Sequence, residues 1–424
     1  MLKGRSTRKL ICGSYKGFNY FSTSDLGSPL SGVRIIDLTR IVAGPFCTMI
    51  LGDLGAEVYK IEQPEGGDEA RKWGPPYVKE SELTCYFVCL NRNKKSVCVN
   101  LKTPEGVEVI NDLAKVSDVL IENFVPGKLD DLGIGYNSLK KIAPHLIYLS
   151  LTGYGSKGPY SKRPGYDVIA ASIGGLLHIT GPENGDPCKP GVAMTDLATG
   201  LFAHGAILAA LLHRAKTGRG QKIDCNLLST QIASLINIGS NYLNAGKEAK
   251  KWGTAHESIV PYETFATADG YLTVGTGSDQ QFKSLCQRIN LVELYKDVRF
   301  ATNKERVKNR KALIRQLINV FISKSTAEWL KTLEGSAFPY GQVNTLSQVF
   351  EDEHVKAIEL VQDVKLVDGS TVKLVGPPVE YSDSTNCIHS PPPLLGEHTD
   401  HVLSQVLNYS PEKIGELKKN GHIK

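Results

Sequence analysis

The chain has 424 residues, 41% of them hydrophobic and 22% charged, the composition of an ordinary globular protein long enough for two or three domains. Its formal net charge of +5 arises in the first 24 residues, where Lys3, Arg5, Arg8, Lys9 and Lys16 occur with no acidic residue; the remaining 44 of the 49 basic residues are matched by 44 acidic ones. That balance argues against a nucleic-acid partner, and nine cysteines without a CxxC pair argue for reduced thiols in an intracellular compartment.

Residues 1–24 are basic, Ser/Thr-containing and acid-free, the profile of a mitochondrial transit peptide, which places the rest of the chain in the mitochondrial matrix. From about residue 30, strand-like and helix-like stretches alternate. Val33–Leu38, Ala56–Ile61, Val97–Leu101, Asp118–Glu122 and Leu146–Leu151 are predicted strands, separated by predicted helices at Phe46–Leu54, 104–115 and 136–143. The alternation predicts an α/β, Rossmann-like parallel sheet with helices on both faces, whose ligand lies beyond the carboxyl ends of the strands. Gly153-Tyr154-Gly155-Ser156-Lys157-Gly158 matches a dinucleotide fingerprint, yet Pro159, Arg163 and Pro164 follow it. The spacing therefore predicts a loop rather than a helix opening on a pyrophosphate.

Asp196–Lys216 is the clearest helix, closed by Gly218; a strand at Gln221–Asn226 and a helix over 227–245 follow. Leu201–Leu212 within it is too short, and too interrupted by His204, for a membrane span. Beyond Gly253, Pro261–Thr267 and Tyr271–Gly275 form a predicted hairpin about Asp269-Gly270, with amphipathic helices near 279–289, 303–322 and 325–334. A smaller α+β domain is therefore predicted at 254–355, beside a large domain at 25–253 completed by 356–424. Short strands at 361–367 and 371–375 flank Asp368-Gly369. Glu397-His398-Thr399-Asp400-His401 has a superficial metal-site look, but a helix start accounts for it and no metal is expected.

Asp196 begins the strongest helix. On spacing alone it is a helix cap, because Asp is among the best capping residues. The same position suits a nucleophilic carboxylate: the helix dipole favours its ionised form, and only that form attacks a carbonyl carbon.

Beyond pattern, the chain carries a series of short strings in a fixed order. They include Gly32–Leu38 with Ala43-Gly44-Pro45, Gly55-Ala56-Glu57-Val58 with Lys60-Ile61-Glu62, Gly67-Asp68, and Asn91–Ser96. Asn100-Leu101-Lys102, Glu122-Asn123-Phe124 with Pro126-Gly127, Asp196–Arg214 with Thr217–Gly220, and Pro393–His398 complete the series. From about Leu30 to its end the chain resembles the family III CoA-transferases, the group of the formyl-CoA and carnitine CoA-transferases. The resemblance implies a large CoA-binding domain, an interlocked homodimer, and no permanently bound cofactor, coenzyme A thioesters being substrates. It implies that Asp196 is the nucleophile. It places CoA contacts on Val42, Ala43, Val99, Asn100, Leu101, Lys102, Asn123, Phe124, Val125, Pro164, Gly165, Tyr166 and Asp167. Two basic CoA contacts of relatives fall on Gln63 and Asp131 here, and the glycine-rich lid of some relatives is replaced by Ser258–Asp269.

Arg71–Pro76, His178–Pro187, Gly191–Leu201 and Trp252–Tyr262 are similar to the family's mitochondrial dicarboxylate branch. That similarity implies succinyl-CoA as donor and glutarate, or a related dicarboxylate such as hydroxymethylglutarate, as acceptor. A dicarboxylate keeps one free carboxylate, for which the Arg fork is the natural partner; Arg71 and Arg92 are the candidates. Two alternatives stand beside this reading. An α-methylacyl-CoA racemase pairs the helix-start Asp with a His, but the matching triplet here is Gly165-Tyr166-Asp167, and Tyr is a poor base at neutral pH. The other is a non-catalytic acyl-CoA-binding protein.

Overall fold

The computed structural model describes residues 27–424, so the predicted transit segment at 1–24 lies outside it. Six strands form one sheet: β1 (Arg34–Asp37), β2 (Glu57–Glu62), β3 (Lys94–Cys98), β4 (Val119–Glu122), β5 (Ile147–Thr152) and β6 (Lys222–Asn226). Their order is β3-β2-β1-β4-β5-β6, and every neighbouring pair is parallel. Consecutive residues of a strand face opposite ways, so Ile35 and Ile36 enter different cores. One face packs Ile36, Tyr59, Val97 and Leu120 against α3 (Pro104–Val116) and α4 (Tyr136–Ile142). The other packs Ile35, Val58, Ile121 and Leu149 against α1 (Ala43–Asp53) and a 24-residue helix at Met194–Thr217. With both faces covered, the central strands β4 and β5 carry near-continuous apolar runs, as a parallel sheet favours, while β2 and β3 bury charged residues as well.

The third strand lies three residues earlier than the predicted Val97–Leu101. Lys94 and Lys95 hid its start, because a lysine reads as surface. Lys94 is instead fully buried, its Nζ donating to Pro45 O at 2.9 Å, Asn91 Oδ1 at 3.0 Å and Asp37 Oδ2 at 3.3 Å. The long helix predicted over 227–245 is two, Leu227–Ala233 and Ile236–Ala245, broken where Ile236 takes a positive φ of 39°.

Beyond it, β7 (Tyr262–Ala266) and β8 (Tyr271–Gly275) form the antiparallel hairpin. A third strand, β9 (Tyr340–Gln342), was not predicted; three residues are too few to show alternation. Helices Asp279–Arg288, Arg310–Phe321 and Thr326–Leu333 close a separate core around Phe265, Phe321 and Trp329. The predicted helix 303–322 is interrupted at Asn309, whose side-chain amide donates to Glu305 O and Arg299 O. Hairpin strands β10 (Val361–Lys365) and β11 (Thr371–Val375) follow, and helix Thr399–Gln405 starts at His398, as the Glu397–His401 stretch suggested.

Met194–Thr217 has the length and apolarity of a membrane-crossing helix. Ala203, Ile207 and Ala210 nevertheless pack on the sheet, which is how the core helix of an α/β domain behaves.

Candidate active site

In a sheet of this order the chain runs away from β1 in opposite directions, leaving a crevice beyond the carboxyl ends of β1 and β4 where ligands bind. The loop after β1 is tied down from several sides. Leu38 N donates to Ile121 O at 2.8 Å. Thr39 O accepts from Lys60 Nζ at 3.1 Å, and Arg40 and Asn123 exchange two hydrogen bonds across the crevice. Ile41, held at φ 73°, donates its N–H to Asp68 Oδ1 at 3.1 Å. A β-branched residue at positive φ is strained, so the loop needs this external support.

That support is a fully buried ion pair, Lys60 Nζ to Asp68 Oδ2 at 2.8 Å. Burial penalises both charges. Asp68, Asp37 and Glu62 nonetheless raise the Lys60 ammonium above its usual range, and Lys60 and its hydrogen bonds lower Asp68. Lys94 is less compensated, and burial drops it to about 8 despite Asp37. The crevice itself is lined by Leu38, Arg40, Gln63, Val99, Leu101 and Phe124. Three of the expected CoA contacts, Val99, Leu101 and Phe124, therefore share one cleft. Val99 and Asn100 also bind the end of the chain, through a bridge to Ile423 and an N–H donated to His422 O at 2.8 Å. Lys102 and Val125 are exposed beside them.

Val42 caps α1 and Ala43 opens it. There the first turn of the long helix, labelled α6 below, meets α1 closely. The small helix Asp167–Ile173 is α5, and α2 is the single turn Cys85–Val88. A methyl group on Gly200 would lie 2.8 Å from Ala43 O. Gly200 is one turn after Asp196, so the close packing brings the Val42–Ala43 backbone towards the Asp196 face of α6.

Asp196 does not cap α6. It is the third helical residue, and Ala193 occupies the cap position without a side-chain bond. The cap arrives from elsewhere: Asp167 Oδ1 accepts the N–H of Asp196 at 3.0 Å. Among the described residues none donates a hydrogen bond to the Asp196 carboxylate. The helix dipole was expected to favour the ionised form of this carboxyl; its surroundings act in the other direction. Burial first, and the neighbouring Asp167 charge second, push Asp196 up to about 7. Tyr86, on α2, completes this corner. Partial burial, then Asp196, Cys89 and Asp167, raise its phenol, and its ring meets Trp73 edge-on at 5.0 Å. No spacing rule links Tyr86 to Asp196; only the fold does.

Pro164, Gly165 and Tyr166 lead into α5, with Gly165 packed on Gly153 so closely that a methyl on Gly165 would lie 2.6 Å from the Gly153 Cα. The GxGxxG string is thus a loop with Gly155 and Gly158 at positive φ. Tyr166 is 62% exposed, open to a ligand or a second chain. Arg71 and Arg92 have other partners. Arg71 grips Glu62 bidentately, with both contacts at 2.7 Å, donates to Pro393 O, and lies 3.7 Å over Phe87. Arg92 grips Asp53 at 2.8 and 2.6 Å and donates to Val375 O. Each guanidinium thus makes a bidentate ion pair within the fold, Arg71 with Glu62 and Arg92 with Asp53.

The model of CoA-transferase family III matches residues 30–399. Succinyl-CoA:glutarate CoA-transferase of Mus musculus is 54% identical over 95% of this chain and 92% of its own length, and that of Homo sapiens 53% over 93% and 90%. Among solved structures, a CAIB/BAIF family protein from Brucella suis is 40% identical, with a TM-score of 0.81 over 90% of this chain and all of its own. With this sheet order and crevice, and the family match extending over residues 30–399, the chain belongs to CoA-transferase family III and is a CoA-transferase.

Proposed function

We propose that the protein moves CoA from succinyl-CoA to glutarate or a related dicarboxylate such as hydroxymethylglutarate, with Asp196 as the covalent relay. The observation that carries the reading is a carboxylate with no hydrogen-bond donor among the described residues, half-buried at the head of α6 in a CoA-transferase. The relatives that share half of its sequence take their names from this donor and acceptor.

In this reading the Asp196 carboxylate attacks the succinyl thioester carbon, and CoA leaves as the thiolate. The thiolate then attacks the Asp196 carbonyl of the mixed anhydride, releasing succinate and leaving an aspartyl-CoA thioester. A glutarate carboxylate attacks that thioester and frees the thiolate again. The thiolate attacks the glutaryl carbonyl of the second anhydride, giving glutaryl-CoA and restoring the Asp196 carboxylate. Each step is an acyl transfer of modest difficulty. Anhydrides hydrolyse, so water must be kept out, and an apolar pocket helps. The CoA contacts proposed are the crevice residues Val99, Leu101 and Phe124, with Val42, Ala43, Asn100, Lys102, Asn123, Val125 and the 164–167 turn around them.

The protein is further proposed to be a homodimer. Leu201, Phe202, Ile236 and Leu243 expose 51–81% of their surface on α6 and the Ile236–Ala245 helix, more apolar surface than a lone domain usually leaves open. The acid-free basic leader supports import into the mitochondrial matrix. The test is succinyl-CoA carrying a labelled CoA moiety, incubated with glutarate in deuterated water. Labelled glutaryl-CoA supports the proposal. Deuterium at the α-carbon without transfer supports a racemase, and neither outcome supports a binding protein.

A further inference from the structure

The first turn of a helix leaves backbone N–H groups without partners, and an Asp near the start normally satisfies one of them with its own carboxylate. Asp196 does not do so. The acceptor comes from a different helix, where Asp167 opens α5 and its Oδ1 lies 3.0 Å from the Asp196 nitrogen. Thr195, the residue before, is likewise tied elsewhere, its hydroxyl donating to Gln231 Oε1 at 2.8 Å. Both contacts come from α5 and from the Leu227–Ala233 helix, which packs against α5. The head of α6 is thus held by its neighbours.

We infer that Asp167 is a positioning residue for Asp196: it caps α6 in place of Asp196, frees the Asp196 carboxylate, and sets a second negative charge beside it. The inference rests on Asp196 as the reacting group. Its consequence is chemical. A carboxylate that must attack a thioester and later be released from one gains from basicity, because nucleophilicity rises with the basicity of the attacking group. A like charge nearby disfavours ionisation and raises basicity, in the direction already found for Asp196. The groups that face Asp196 are Asp167 from α5 and Tyr86 from α2, the latter a neutral phenol across the working range. Neither α1 nor the Leu227–Ala233 helix places a charge there: α1 carries Asp53 at its far end, and the other helix has no charged residue.

The experiment separates the cap from the charge. Asp167→Asn keeps an oxygen that accepts the Asp196 N–H but removes the charge; Asp167→Ala removes both. A diazoacetamide probe esterifies a protonated carboxyl, the acid proton passing to the diazo carbon and N2 leaving, so labelling of Asp196 across pH reads its protonated fraction without turnover. Peptide mass spectrometry gives the pH of half-labelling, expected near 7 in the unaltered protein. In Asp167→Asn it is expected to fall by about half a pH unit or more, with the thermal midpoint held. In Asp167→Ala it falls and the midpoint drops as well. An unchanged half-labelling pH in Asp167→Asn overturns the inference, whatever the enzyme's substrates prove to be. Loss of glutaryl-CoA formation with an intact labelling shift would instead indict the proposed reaction.

Discussion

Gly200→Ala places a methyl group where α6 meets the start of α1. In an open helix interior, Gly to Ala stabilises by about 1 kcal/mol through backbone entropy. Here the new carbon would lie 2.8 Å from the backbone Ala43 O and 3.0 Å from Phe46 Cδ1. A backbone oxygen cannot step aside alone, so the two helices must part, and overpacking of this kind costs about 1–3 kcal/mol. The net expectation is about 1 kcal/mol of lost stability. Because Val42 and Ala43 move with α1, a several-fold rise in KM for succinyl-CoA should accompany it. The matched control is Gly415→Ala in the Pro411–Lys419 helix, where nothing lies within 4 Å; it should gain about 0.5–1 kcal/mol. Urea midpoints at one fixed protein concentration, with unchanged slope, compare the two. If Gly200→Ala gains stability like its control, the close approach of the helices, and the positioning drawn from it, is wrong.

Lys60→Met leaves Asp68 buried without its cation and Thr39 O without its donor. Removing one partner of such a pair costs about 3–5 kcal/mol, and the Arg40–Val42 loop should loosen, raising KM for CoA thioesters more than it lowers kcat. An unaltered KM in a folded variant would show that the clamp does not serve the crevice. Asp196→Asn has an opposite effect on stability. Asp196 stands at about 7 in the fold against an ordinary 3.8. Its contribution is therefore complete below pH 3.8 and is lost as pH rises through 7. The full shift corresponds to about 4 kcal/mol. Because Asp196 is only half-buried and solvent screens part of it, the Asn variant should match the unaltered protein near pH 4 and exceed it by about 2 kcal/mol at pH 8. Equal melting curves at pH 8 would contradict the raised Asp196.

The alternation of apolar runs and helical stretches was enough to place the sheet, because a doubly covered parallel sheet writes itself as continuous Val, Ile and Leu. Lys94 marks where that reading stops. A lysine buried against Asp37 looks like a surface residue until its partner, on another strand, is known. Spacing alone marked Asp196 as a helix cap, and the family resemblance singled it out as the candidate nucleophile; its electrostatics were not legible. Asp167 and Tyr86 reach Asp196 only through the fold, so the sequence position suggested a cap that Asp196 does not form and gave no sign that its carboxyl is raised to about 7. The partners of the two arginines were hidden for the same reason: Glu62 and Asp53 pair with Arg71 and Arg92 through tertiary contacts that no local pattern announces.

The central claim is that Asp196 carries CoA covalently. The protein incubated with succinyl-CoA and no acceptor, quenched in acid, digested and analysed by mass spectrometry, tests it. The peptide containing Asp196 should carry the mass of CoA, lose it when glutarate is added before the quench, and never acquire it in Asp196→Asn. CoA found on another residue, or glutaryl-CoA formed at the normal rate by Asp196→Asn, would contradict the assignment.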